Sequence, residues 1–296
     1  MTTAFKLKFG SGTDKGMVRT HNEDSFIVRE DLLLAAVADG MGGHSSGELA
    51  SALAVKTLAE KMEALLRGEI LPTEYDPMHS AAANTLLSAA VQANNKIFEE
   101  ASANPAHTGM GTTLSALVMD GEKAAIVHIG DSRIYLCRKG RITQITEDHS
   151  LVMEQARKGI LTLEEAATSR MQNILTRAMG LARDARLDLY EVALQEGDRL
   201  LLCSDGLFKA ISDEAFGEAL CQNQEPDEIC KRLVALANAS GGPDNITAVA
   251  IDIGQSLGEN VQPSQIPENT QTGATPAKKS CCLLGFLRGL FGKKQG

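Results

Sequence analysis

The chain has 296 residues, 43% of them hydrophobic and 23% charged, which is enough apolar side chain for one large domain or two modest ones. Its formal net charge of -9 excludes a protein built chiefly to coat nucleic acid, since phosphate contacts need clustered Lys and Arg. An acidic protein that handles phosphates needs bound cations instead.

Met1 to Gly16 lacks the apolar core of a signal peptide, and no run reaches the roughly 18 apolar residues of a spanning helix, so a cytoplasmic chain is expected. From Thr13 to Gly254 strand-like and helical patterns alternate with no linker between them, which predicts one domain over residues 1–254. After a charged stretch at Asp14 to Ser25, a strand is predicted at Leu32 to Ala38, then helices from about Gly47 to Leu66 and His79 to Ala101. Strands follow at Thr113 to Met119, Lys123 to Ile129 and Arg133 to Cys137, then helices near Glu154 and Glu164. Two more strands, Leu187 to Val192 and Arg199 to Ser204, precede helices near Asp213 and Asp227, and Ile246 to Ile251 closes the series.

Gly121-Glu122, Asp131-Ser132 and Lys139-Gly140 fall between neighbouring strands, the turn chemistry of antiparallel hairpins. Helices must cover the sheet faces, so a layered α+β sandwich is expected. Cys137, Cys203, Cys221 and Cys230 stand in no CxxC spacing and read as small buried apolar residues.

Gln255 to Ala277 is rich in Gln, Ser, Thr, Asn and Pro and reads as a disordered linker. Residues 278–296 hold Lys278, Lys279, Arg288, Lys293 and Lys294 and no acid; removing this +5 from the net -9 leaves -14 on residues 1–277. Between the two lysine pairs, Cys281-Cys282-Leu283-Leu284-Gly285-Phe286-Leu287 begins a short apolar segment, the composition of a weak interfacial anchor for the inner face of a membrane. A disordered tail or partner-binding peptide is the alternative.

Three apolar runs lead straight into aspartates: Ala36-Val37-Ala38-Asp39-Gly40, Val127-His128-Ile129-Gly130-Asp131 and Leu201-Leu202-Cys203-Ser204-Asp205-Gly206. Asp244 stands just before a fourth. Strand ends are rigid, so such carboxylates can converge on one rim, where they repel unless cations sit among them. Oxygen donors without His or Cys suit two Mn2+ or Mg2+ ions rather than zinc. Glycine after Asp39 and after Asp205 is expected to permit a tight turn and the approach of a carbonyl to a metal. Arg19 offers a planar fork for phosphate, and Glu23 and Asp24 could hold metal-bound waters.

The segments Asp14 to Asp24, Asp39-Gly40-Met41-Gly42-Gly43, Gly130-Asp131-Ser132-Arg133, Ser204-Asp205-Gly206 and Asp244-Asn245 together resemble the ordered signature of the PPM, or type 2C, protein phosphatases. Asp148-His149-Ser150-Leu151-Val152, Gly159, Glu164-Glu165-Ala166 and Thr176-Arg177-Ala178-Met179-Gly180 resemble the bacterial branch and its flap. The resemblance implies a four-layer αββα sandwich of two mainly antiparallel sheets. It implies that Asp39 bridges two metals, that Gly40 gives a carbonyl to the second, that Asp205 and Asp244 complete the first, and that Glu23 and Asp24 act through water. A hydroxide bridging the ions would attack phosphoserine or phosphothreonine in line, with Arg19 holding the phosphate oxygens. The implied partners are phosphorylated proteins, a Ser/Thr kinase and its substrates, and no nucleic acid, with the chain acting as a monomer.

Two positions depart from the family pattern. Met41 stands where some relatives have a histidine acid; His44 is a stand-in or a surface or capping residue, and His21 and His149 receive no catalytic role. Lys209 replaces an acid that in the family helps Asp131 hold a weak third metal, so that third site is expected to be weak or empty unless Lys209 swings into solvent. A phosphatase-like module that binds phosphoproteins without hydrolysing them is the alternative from another class. Intact Arg19, Asp39, Asp205 and Asp244 speak against it, and no GxxxxGK[ST] loop or DxDx[TV] signature supports a phosphotransferase.

Overall fold

A computed structural model describes residues 1–42 and 46–256; Gly43, His44 and the tail with Cys281 and Cys282 lie outside the described residues. In chain order, β1 (Phe5–Asp14), β2 (Asp24–Arg29) and β3 (Leu34–Met41) precede the long helices α1 (Ser46–Leu66) and α2 (Ala81–Ala103). Then come β4 (Gly111–Thr112), β5 (Leu114–Asp120), β6 (Lys123–Ile129), β7 (Arg133–Arg138) and β8 (Arg141–Gln144), with short helices α3 (Leu151–Arg157) and α4 (Leu163–Thr168) behind them. β9 (Asp188–Ala193), β10 (Arg199–Cys203), α5 (Asp205–Phe208), α6 (Asp213–Leu220), α7 (Pro226–Ala239) and β11 (Ile246–Ser256) complete the chain order.

One sheet runs β1-β11-β10-β7-β8 and the other β2-β3-β5-β6-β9, with β4 added on β3. All pairings between these strands are antiparallel. Side chains alternate across each strand, so the two faces of β3 feed different cores. Ala35 and Val37 pack between the sheets with Leu117, Ile126, Ile134, Leu202 and Val249. Leu34, Ala36 and Ala38 pack outward under α1 and α2 with Leu58, Met62, Leu86 and Ile97. A third cluster joins Leu201, Cys203 and Ala248 to Ile229 and Leu233 of α7 and Phe216 of α6. Three cores separate four layers, so the expected αββα sandwich is present.

The long helices follow from their sequence. Ala50, Ala54, Leu58 and Met62 form a buried stripe at i, i+4 on α1. On α2, Ser80 caps the first turn by accepting the Ala83 N–H at 3.2 Å, and Ala83, Leu86, Ala90, Ala93 and Ile97 form the buried face.

Three expectations are corrected. Gly121-Glu122 and Lys139-Gly140 do turn hairpins, β5 to β6 and β7 to β8, but Asp131-Ser132 does not. There the chain leaves one sheet for the other, with Gly130 at φ 105°, a conformation that favours glycine. Cys137, Cys203 and Cys230 are buried, whereas Cys221 is half-buried, and the neighbouring Cys137 thiol, against some opposition from burial and with help from Arg199, pulls its pKa down to about 7. Finally, Gln255 and Ser256, the first residues of the expected linker, end β11, where Ser256 pairs with Phe5. Among the described residues no helix is long and apolar enough to cross a membrane.

Candidate metal centre

Each sheet contributes carboxylates to one end of the sandwich. Asp39 ends the buried run of β3 and pairs across the strands with Asp24 at the start of β2. Asp131 follows β6 at the sheet crossover, Asp205 opens α5 directly after β10, and Asp244 precedes β11. Arg19, Glu23, Asp39, Gly40, Asp131, Asp205 and Asp244 line a single cleft of about 250 Å³, together with Met41, Thr113, Asn173, Leu175 and Asn245. A wider groove of about 440 Å³ between α1 and α2 shares no residue with it and mixes lysines with glutamates. Of the expected site residues only Asp24 does not line the cleft.

Hydrogen bonds from residues given no role in the sequence reading fix this arrangement. Thr113 Oγ1 accepts the Asp39 N–H at 2.8 Å, and Thr112 Oγ1 donates to the Asp39 carbonyl at 2.8 Å. Asn245 accepts the Glu23 N–H at 2.8 Å and donates to the carbonyls of Lys15 at 2.9 Å and His21 at 2.8 Å, so it pins the loop that carries Arg19 and Glu23. Ser204 Oγ donates to Asp24 Oδ2 at 2.6 Å and accepts the Thr247 N–H at 3.0 Å. Ser204 and Asn245 adjoin Asp205 and Asp244 inside the signature segments, where nothing in the sequence alone gave them a role of their own.

The glycines after the aspartates act differently from expectation. A Cβ on Gly40 would lie 2.0 Å from the Gly47 carbonyl oxygen, and one on Gly206 would lie 2.1 Å from the Asn245 carbonyl oxygen. Gly40 continues β3 and Gly206 sits inside α5, so close approach of a second backbone, and not a turn, excludes a side chain at both.

The carboxylates bear the cost of convergence. Withdrawal from water, followed by repulsion from Asp24, Asp205, Asp131 and Asp244, raises Asp39 well above the ordinary carboxylate range. Burial pushes Asp24 up to about 7 although Ser204 opposes it, and pushes Asp131 up to about 6 with Asp205 adding and Lys209 opposing. Burial also raises Glu23, against the pull of Arg19. Two cations of the protein answer this charge: Arg19 Nη2 donates to Asp244 Oδ2 at 2.8 Å, and Lys209 Nζ donates to Asp205 Oδ2 at 2.6 Å. With these pairs formed, among the described residues no three ligands close around one point.

The donor set nevertheless fits hard divalent cations. It consists of carboxylates and a backbone carbonyl with no thiolate or imidazole, and Asp24 Oδ1 is buried with no hydrogen-bond partner among the described residues, free to accept from a bound water. His149 is buried outside the cleft, accepting the Gly130 N–H at 3.1 Å and contacting Asp188 at 3.0 Å, so its role is structural. His21 is exposed and also lies outside the cleft lining.

The two sheets of the αββα sandwich thus bring aspartates and one arginine into a shared cleft, a donor set that suits divalent cations beside a phosphate group. The sequence profile of the protein phosphatase 2C family matches residues 12–238, and the chain belongs to that family. It is 41% identical over 249 residues to the serine/threonine protein phosphatase PstP of Mycobacterium tuberculosis, covering 83% of this chain and 45% of that protein. The chain thus spans less than half the length of that relative. It is 36% identical over 246 residues to the serine/threonine phosphatase stp of Listeria monocytogenes, covering 81% of this chain and 93% of that one. The solved catalytic domain of PstP in complex with two manganese ions superposes with a TM-score of 0.72 at 38% identity, covering 84% of this chain and 99% of that domain.

Proposed function

We propose that this chain hydrolyses phosphoserine and phosphothreonine in proteins with two Mn2+ or Mg2+ ions, opposing a Ser/Thr kinase in signalling. The observation that carries the reading is the convergence of Asp39, Asp205 and Asp244 with Arg19 in one cleft. Relatives named as serine/threonine phosphatases and a neighbour solved with two manganese ions support it.

When bound, two divalent ions would supply an acidified water as nucleophile and positive charge against the developing phosphoryl oxygens. Asp39 would reach both ions, Asp205 and Asp244 the first, and the Gly40 carbonyl the second, with Glu23 and Asp24 holding waters. Arg19 stands half-exposed at the cleft with Asp244 as its one ion-pair partner among the described residues. Its planar fork would bind the non-bridging phosphate oxygens and orient phosphorus. The purified full chain should release phosphate from a phosphothreonine peptide with Mn2+ and none after chelation; turnover in excess chelator would end the two-ion reading.

The chain is further proposed to act in the cytoplasm as a monomer, with residues 278–296 as a weak contact for an anionic membrane surface. The +5 charge and apolar middle of that tail support this, against -14 on the remainder. Co-sedimentation with phosphatidylserine vesicles should be several-fold higher for the full chain than for a 1–277 truncation. Equal partitioning would remove the membrane contact.

A further inference from the structure

Lys209, immediately after α5, sends its side chain back along the last turn toward the cleft. Its Nζ donates to Asp205 Oδ2 at 2.6 Å, to Asn173 Oδ1 at 2.9 Å and lies 3.4 Å from Asp131 Oδ2. An ammonium has three N–H donors, and three acceptors from three separate segments face it here. The side chain is only 26% exposed, which limits its escape into solvent. Phe208, its neighbour, lies under the Arg133 guanidinium at 3.7 Å, and Asp148 grips that guanidinium through two oxygens at 2.9 and 2.8 Å. The base of Lys209 is therefore anchored on β7 and the segment behind it.

The charge of the centre gives this contact its meaning. Glu23, Asp24, Asp39, Asp131, Asp205 and Asp244 are six carboxylates around one end of the sandwich. Two divalent ions, Arg19 and Lys209 neutralise them in full, leaving no unbalanced negative charge to recruit another cation. Replacing Lys209 by an acid would reopen a deficit of two charges beside Asp131. Asn173 adds a second consequence, because it and Leu175 are the cleft-lining residues of the segment between α4 and β9.

The geometry points to Lys209 as a tethered cation that takes the place of a further divalent ion on Asp131 and, through Asn173, holds the 169–181 segment against the metal centre. This rests on the two-ion reading above. Where a third ion would come and go with its concentration in solution, the ammonium is always present, so the segment would be held irrespective of ion supply.

Two measurements on the full chain test it. Equilibrium dialysis against Mn2+ up to millimolar concentration should count two ions for the wild type and three for Lys209→Asp. Hydrogen exchange at residues 171–175 should be about tenfold faster in Lys209→Met, and also in Asn173→Ala, as expected for loss of a charge-assisted hydrogen bond. Three ions on the wild type, two on Lys209→Asp, or unchanged exchange in Lys209→Met would overturn the inference. Fewer than two ions on the wild type would overturn the two-ion reading itself and the inference with it.

Discussion

Asp39→Ala is expected to lower phosphopeptide hydrolysis by at least about a thousandfold, roughly 4 kcal/mol of transition-state stabilisation, while the protein stays folded. Asp39 lines the cleft and is raised by Asp24, Asp205, Asp131 and Asp244 together, the crowding expected of the carboxylate proposed to serve two ions. Its removal relieves repulsion in the metal-free protein, so no loss of stability offsets the reading of the activity. The sign can be checked by pH. A carboxylate raised in the folded state binds more protons there than when unfolded, so stability falls as pH rises from the unfolded value to the folded one. For Asp24 that window runs from 3.8 to about 7. Metal-free wild type should accordingly melt lower at pH 7 than at pH 5, and Asp39→Ala should flatten that slope. Arg19→Ala serves as the contrast: it should mainly raise KM, since it removes phosphate binding without touching the attacking water. Activity surviving in Asp39→Ala with excess chelator would refute the metal assignment.

The candidate site was legible because its aspartates stand at the ends of apolar runs, where a continuously buried strand and a sudden carboxylate coincide. Asp39, Asp131, Asp205 and Asp244 all carry that mark, and all four meet in the cleft. Less visible was what depends on distant pairing. β1 alternates Phe5, Leu7 and Phe9 with Lys6 and Lys8, yet Gly10, Ser11 and Gly12 dilute the pattern, and its partner β11 lies at the far end of the domain. β8 has four residues, too few for periodicity to register. Asp131-Ser132 has the composition of a hairpin turn, and composition alone does not say which sheet the next strand joins. Similarly, Lys209 announced a charge in the wrong place, but Asn173, 36 residues earlier, could be matched to it only in three dimensions.

Gly40→Ala is expected to produce the largest loss of stability among single methyl additions near the site. A Cβ there would stand 2.0 Å from the Gly47 carbonyl oxygen and 2.7 Å from that of Glu23. Both are backbone atoms, one in the first turn of α1 and the other in the loop that Asn245 pins, so neither can yield by a rotamer change. The Gly40 N–H also donates to the Glu23 carbonyl at 3.0 Å, and Gly47 itself has the Glu23 carboxylate packed where its own side chain would be. Relief requires α1, β3 or the Glu23 loop to move, at a cost of about 3 kcal/mol, equivalent to roughly 10 °C in Tm for a domain of this size. Because the atoms that must move carry Glu23 and adjoin Asp39, the rise in Tm on adding Mn2+ should shrink as well. Gly217→Ala is the matched control: it lies inside α6 with its nearest neighbour, Ile142 Cδ1, at 3.7 Å, so alanine should raise stability by up to about 1 kcal/mol through helix propensity. Thermal melts of both variants with and without Mn2+ decide the matter, and a Gly40→Ala protein melting within about 2 °C of wild type would show that the backbone contact is not a constraint on the centre.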